Sequence, residues 1–119
     1  MKPRKKPDAG TIDARALSRM ADYCSVMAHA KRLAIMWHLG GDERSVGEIA
    51  EHIGASVQNT SQHLRVMRDK GAVTNRQVGQ SVLYRIANRK FLDASRLVRE
   101  ALAEESRKHA ALQRDGDKQ

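Results

Sequence analysis

The stretch Ser56 to Gly71, SVQNTSQHLRVMRDKG, carries its own start and its own stop, and the rest of the chain has to fold around it. Ser56 is a good helix N-cap, because its hydroxyl can accept from an amide that the first turn leaves orphaned. Gly71 suits the left-handed conformation just past the last turn. Val57, Thr60, Leu64 and Met67 recur at helical spacing and form a narrow apolar stripe. Gln58, Asn59, Ser61, Gln62, His63 and Arg65 crowd the N-terminal half with short or planar hydrogen-bonding groups. A helix that needed only a solvated face would more often carry Glu and Lys there. Amides, hydroxyls and guanidinium groups are the side chains that reach base edges and phosphates of a duplex. Taken alone, the stretch fits a recognition helix and a polar surface helix equally well, and its surroundings have to decide.

Upstream, Ser45-Val46-Gly47-Glu48 has the Ser-x-x-Glu form of a capping box. It starts a short helix whose Ile49, Ala50 and Ile53 face inward, and Gly54-Ala55 turns tightly into Ser56. Two short helices joined by a Gly-containing turn, the second opening with polar readers, make a helix-turn-helix pattern. Downstream of Gly71 the period changes to two. Ala72 to Val78 and Ser81 to Ile86 are β-leaning runs around Gly79-Gln80, which predicts a hairpin with Arg76, Gln77, Gln80 and Arg85 near its tip and edges. Two strands are marginal alone and must pack on the helices. Placed straight after a recognition helix, such a hairpin is a wing.

Thr11 or Asp13 can cap a first helix running to about Met27, with Leu17, Met20, Cys24 and Met27 in one stripe. Ala30 to Leu39 is apolar nearly all round and reads as the central buried helix, ended by Gly40-Gly41-Asp42. Asn88 can cap a last helix to about Leu112, with Phe91, Leu92, Ser95, Val98 and Leu102 as its stripe, and the sequence turns charged beyond Glu104. The first and last helices thus carry more apolar face than the core needs, which predicts a dimer interface. The expected organisation is a disordered basic arm over 1–10, one DNA-binding and dimerisation domain over 11–112 and a flexible tail over 113–119.

The net charge of +8 favours a polyanionic partner, nucleic acid before an acidic membrane surface. The aromatics are Tyr23, Trp37, Tyr84 and Phe91, too sparse for the base-stacking platforms of single-strand binders. The single Cys24 excludes an intrachain disulfide and a Cys-cluster zinc site, and it fits a reducing compartment. No apolar run approaches the roughly 20 residues of a membrane span. The basic N-terminus lacks the apolar run of a secretory signal, so the expected location is cytoplasmic, with no membrane partner. Paired carboxylates, a Ser/His/Asp arrangement and a Gly-rich phosphate loop are all missing, so neither an enzyme nor a cofactor is expected.

From Ala30 to Ile86 the chain resembles the ArsR/SmtB family of winged-helix repressors, most tellingly in LAIMWHL, SVGEIA, SQHLRVMRDKGAV and VGQSVLYRI. The resemblance implies a mainly α fold with a small β-hairpin, a winged helix-turn-helix of four helices, the hairpin and a fifth helix. It also implies a homodimer joined by the first and last helices, with two recognition helices in successive major grooves of a palindromic double-stranded DNA operator. The DNA-binding residues then expected are Gln58, Asn59, Thr60, Ser61, Gln62, His63 and Arg65 on the helix and Arg76, Gln77 and Gln80 on the wing. Gln58, Asn59, Ser61 and Gln62 would reach base edges, His63 and Arg65 phosphates, and the wing residues the backbone or minor groove. Thr60 has a second possible role, a back-bond to the Ser56 carbonyl, and Ser61 one in close helix packing.

The departures from the family pattern bear on control. Metal-sensing members place two cysteines in the short third helix, where this chain has Ser45 and Gly47. Others use an Asp-x-His pair entering the last helix and two more ligands about three turns on, where this chain has Asn88, Lys90, Ala101 and Glu104. No family metal site is therefore expected, and the SVGEIA and SQHL wording is similar to a metal-independent branch that includes persulfide-responsive and nodulation-type regulators. The thiol sensors need two cysteines, and Trp37 stands where one of them would be. Two alternatives stay open: a redox response through Cys24 and its symmetry mate, and a helical protein-interaction module without a specific DNA target.

Overall fold

The computed structural model describes residues 11–117; the basic arm over 1–10 lies outside them. The elements run α1 (Ala14–Met27), α2 (Ala30–Leu39), β1 (Arg44–Ser45), α3 (Val46–Ile53), α4 (Val57–Asp69), β2 (Val73–Val78), β3 (Ser81–Ile86) and α5 (Arg89–Asp117). The sheet is antiparallel in the order β1-β3-β2. The hairpin of β2 and β3 is thus the wing that the periodicity predicts, and β1 is an addition to it. Two residues are too few to leave a period-two signature, and β1 is defined only by its pairing, Arg44 opposite Tyr84 and Ser45 opposite Leu83.

Local chemistry sets the helix ends. Asp13 caps α1 by accepting from the Ala16 amide at 2.8 Å, and Ser56 caps α4 by accepting from Asn59 at 3.0 Å. Ser45 accepts from the Glu48 amide at 3.2 Å while its hydroxyl donates to the Glu48 carboxylate at 3.1 Å. The Glu48 side chain therefore closes the box on the hydroxyl. At the end of α4, Gly71 takes φ +81°, its amide bonds the Arg68 carbonyl and the Ala72 amide bonds the Met67 carbonyl. These are the paired bonds of a Schellman motif, and they satisfy carbonyls that the last turn would strand. Gly79 has a positive φ and Gln80 does not, the φ pattern of a type II′ turn joining β2 to β3.

The core lies where α2, α3, α4 and the base of the sheet meet. Ile35, Met36 and Leu39 from α2, Ile49 from α3, Leu64 and Met67 from α4, and Val73 from β2 are all fully or almost fully buried. Val26, Met27, Tyr84 and Leu92 close its sides. The description of α2 as buried all round has to be corrected. Leu33 and Trp37 lie outside the core, and Trp37 donates from Nε1 to Ser95 Oγ at 2.9 Å with the Arg99 guanidinium 5.2 Å from its ring. That side of α2 is the seat of α5, so Ser95 serves as an acceptor and not as part of an apolar stripe. Tyr23 stacks on Phe91 with centroids 4.5 Å apart, tying α1 to the same first turns of α5.

Beyond those turns α5 runs free. The helix continues to Asp117, past the end near Leu112 that its charge suggested, and 29 helical residues span roughly 43 Å. Leu97, Val98, Leu102 and Leu112 on α5 and Leu17 and Met20 on α1 are all more than half exposed. No helix among the described residues is long and apolar enough to cross a membrane.

Candidate nucleic-acid interface

The candidate reading surface is built on α4. Thr60, Leu64 and Met67 are fully buried and pin one side of the helix to the core. At 3.6 residues per turn the opposite side carries Gln58, Gln62 and Arg65, all exposed. Asn59 and Val66 are exposed on the flank towards α2, and His63 is half-buried there. Ser61 is half-buried on the other flank, consistent with a packing role. The first two turns of α4 therefore present Gln58 and Gln62 at positions where a helix in a major groove meets base edges, with Arg65 further along the same side.

Two α4 assignments change. Thr60 has no exposure and cannot touch DNA; its Oγ1 also has no hydrogen-bond partner, so the expected back-bond to Ser56 is not made. The carbonyl of Ser56 is taken by the Thr60 amide at 2.9 Å. Val57, expected in the core stripe, is 56% exposed instead. It is the first residue of α4 and shares the azimuth of the stripe, but it lies past the end of the core.

His63 is also more constrained than a free phosphate ligand. Its Nδ1 accepts from Arg32 Nε at 3.3 Å, and Arg32 in turn donates through Nη1 to the Val26 carbonyl at 3.0 Å. Burial, together with the nearby His29, Arg32 and Lys31, holds its pKa below the ordinary imidazole value. The His29 ring lies 4.7 Å away. The sequence does not signal His29, Lys31 and Arg32, which sit at the N-cap and first turn of α2; nothing local marks a contact across 31 residues.

On the wing the register places Thr74, Arg76 and Val78 on one face with Arg85, Leu83 and Ser81 opposite them. Arg76 is not a free cation: Glu43 takes both its Nε and Nη2 at 2.7 Å. Gln77 turns back and donates to the Gly79 carbonyl at 3.2 Å, bracing the turn. Gln80 and Arg85 are exposed, and among the described residues neither side chain is engaged in such a bond.

Two of the six positions compared with the family's metal ligands have other duties here. The Ser45 hydroxyl caps α3, and the Asn88 side chain accepts from the Lys90 amide at 2.9 Å at the start of α5. Among the described residues no three His, Cys, Asp or Glu side chains come together as a ligand set. His38 and His52 stack face to face at 3.7 Å, as a pair only. Cys24 is exposed on α1 and is not a core filler within the protomer.

Comparison with known proteins agrees with this geometry. A model of a helix-turn-helix domain family matches residues 27–76, from the end of α1 to the middle of β2. The chain is 43% identical over 69 residues to the HTH-type transcriptional regulator YgaV of Escherichia coli, an alignment covering 57% of this chain and 70% of YgaV. It is 34% identical to the biofilm growth-associated repressor of Agrobacterium fabrum over 81% of this chain and 84% of that one. The solution structure of the homodimeric winged helix-turn-helix domain Mb0332 from Mycobacterium bovis, described as a possible ArsR-family regulator, superposes with a TM-score of 0.70 at 31% identity. That match covers 86% of this chain and 95% of that domain. On these matches the chain belongs to the ArsR/SmtB family of winged helix-turn-helix transcriptional regulators.

Proposed function

We propose that the protein is a homodimeric transcriptional repressor that binds a palindromic operator and works without the family's metal switch. The observation that carries this reading is the arc of Gln58, Gln62 and Arg65 diametrically opposite the buried Thr60, Leu64 and Met67. Gln pairs bidentately with adenine, so Gln58 and Gln62 give the arc base-reading chemistry, and Arg65 beyond them fits a phosphate. Arg85 and Gln80 approach the backbone from the wing. Dimerisation through α1 and α5 is supported by Leu17, Met20, Leu97, Val98 and Leu102, which a lone protomer leaves in water. An isologous pair would set two reading helices in successive grooves. The protein acts where the DNA is, in the cytoplasm, with no cofactor.

The proposal of metal independence draws support from Ser45 and Asn88, whose side chains are spent on helix caps. A redox response through Cys24 has less behind it. The thiol is exposed, but one cysteine per protomer can pair only across the dimer. Operator release by oxidant that persists in Cys24→Ser removes that reading.

Footprinting on DNA upstream of the protein's own operon tests the function. A two-fold symmetric protected site is expected, and Gln58→Ala is expected to cost about 1–3 kcal/mol on that site with little change on random DNA. Equal affinity of the parent for the site and for random duplex overturns sequence-specific repression.

A further inference from the structure

Beside the reading helix lies a cleft of about 580 Å³ lined by His29, Lys31 and Arg32 from the start of α2 and by Asn59, Gln62, His63 and Val66 from α4. Among the described residues, no carboxylate lines it. Its two imidazoles are held in one tautomer by internal donors. The Lys31 amide donates to His29 Nδ1 at 3.2 Å, and Arg32 Nε donates to His63 Nδ1 at 3.3 Å. An atom that accepts cannot carry the ring proton, so each neutral ring keeps its proton on Nε2. The cleft is thus furnished with two Nε2–H donors, the Lys31 ammonium and the amides of Asn59 and Gln62. Arg32, which also donates through Nη1 to the Val26 carbonyl, positions His63.

We infer that this cleft seats a backbone phosphate of the duplex, with Lys31 and His29 as direct contacts outside α3, α4 and the wing. The inference rests on the DNA-binding reading above. Three features select a phosphate as the occupant. The donors are all cationic or neutral N–H groups, which match an oxyanion and not a metal ion. The wall formed by Asn59, Gln62 and Val66 is the flank of α4 next to its reading arc. A helix lying in a major groove has a phosphate strand along that flank. Such contacts fix the register of the helix on the duplex and carry no sequence information themselves.

Fluorescence-anisotropy titrations of the full chain on an operator fragment and on a random duplex, over a series of NaCl concentrations, test the clamp. His29→Asn keeps an acceptor for the Lys31 amide while removing the Nε2–H donor. Lys31→Gln removes the charge. Both variants are expected to bind several-fold more weakly, by the same factor on the two duplexes. Lys31→Gln is also expected to reduce the slope of log affinity against log salt by about one, the mark of one lost phosphate contact. His29→Asn should leave that slope unchanged. If His29→Asn melts below the parent, Lys31→Gln decides alone. A Lys31→Gln variant with the parent's affinity and slope, or a loss confined to the operator, overturns the clamp while leaving the DNA-binding reading intact. A parent that binds neither duplex overturns both.

Discussion

Arg76 lies across the exposed face of the wing and delivers two parallel hydrogen bonds to Glu43, each of 2.7 Å. Glu43 immediately precedes β1, on the far side of β3 from Arg76, so this ion pair spans the width of the sheet. The bond from Arg76 holds the Glu43 carboxyl below its usual range, and the guanidinium is pushed up in return. A bidentate pair of this kind is geometrically specific and withholds its cation from other anions.

The pairing reverses an expectation about the wing. A free Arg76 would make Arg76→Ala weaken DNA binding in proportion to a lost phosphate contact. With Glu43 paired to it, Glu43→Gln frees the guanidinium and is expected to bind random duplex more tightly than the parent, whereas Arg76→Ala leaves the Glu43 carboxylate bare and is expected to bind it at least as weakly as Arg65→Ala. Titration of the three variants at one salt concentration checks the order, and a Glu43→Gln variant that binds more weakly contradicts it.

His63 makes stability fall on the acidic side of neutrality. Burial is the main cause of its lowered pKa, with His29, Arg32 and Lys31 adding repulsion. The unfolded chain then takes up the proton first. The full contribution is present above the unfolded value of about 6.5 and is lost as pH falls from there through the lower folded value. His63→Gln keeps an acceptor for Arg32 and should flatten the melting temperature across that window. His38 is depressed as well, by burial and then by His52 and Arg44, against the opposing Glu48. A residual slope should therefore disappear only in the double variant with His38→Gln, and calorimetry at several pH values measures both.

Thr60 offers a stability gain that leaves the reading surface untouched. Its hydroxyl is buried without a partner, and a stranded buried polar group costs about 1–3 kcal/mol. Thr60→Val keeps the branched shape and removes the hydroxyl, so urea denaturation should show a gain of about 1 kcal/mol. Affinity for the operator should be unchanged. A loss of affinity at constant stability would return Thr60 to the DNA contacts.

The bare stripe of α5 predicts how the protein assembles. Leu102 is 64% exposed in the protomer, and in a two-fold interface each substitution acts twice. Burying a leucine is worth about 1.5–3 kcal/mol, so Leu102→Glu should shift the dimer towards monomers in sedimentation velocity. Operator affinity should fall with it, because each half-site would then bind alone. Helical content by circular dichroism should hold, since Leu102 lies beyond the turns of α5 that pack on α2 and the sheet.

Much of this architecture is written locally. Ser45, Ser56, Gly71 and Gly79 act within a few residues of themselves, through a cap, a left-handed turn or a hairpin, so their consequences are legible before any folding. The alternating runs after Gly71 specify the wing for the same reason. The outward arc of α4 also follows from spacing, because Leu64 and Met67 declare which side is inside.

The remaining features depend on distant partners. Thr60 and Val57 both fit the apolar stripe, yet one is sealed and the other open, because the core ends between the first and second turns of α4. Arg76 carries the same charge in any arrangement, and only the pairing of β1 with β3 brings Glu43 within its reach. His63 reads as a phosphate ligand until Arg32, 31 residues earlier, fixes its tautomer. Sequence by itself determined the helix-turn-helix, the wing and the reading face, because each rests on backbone hydrogen bonds and periodicities within one element or between neighbours. Tertiary structure decided which polar side chains remain free to meet DNA, because a donor's availability depends on every acceptor the fold brings near it.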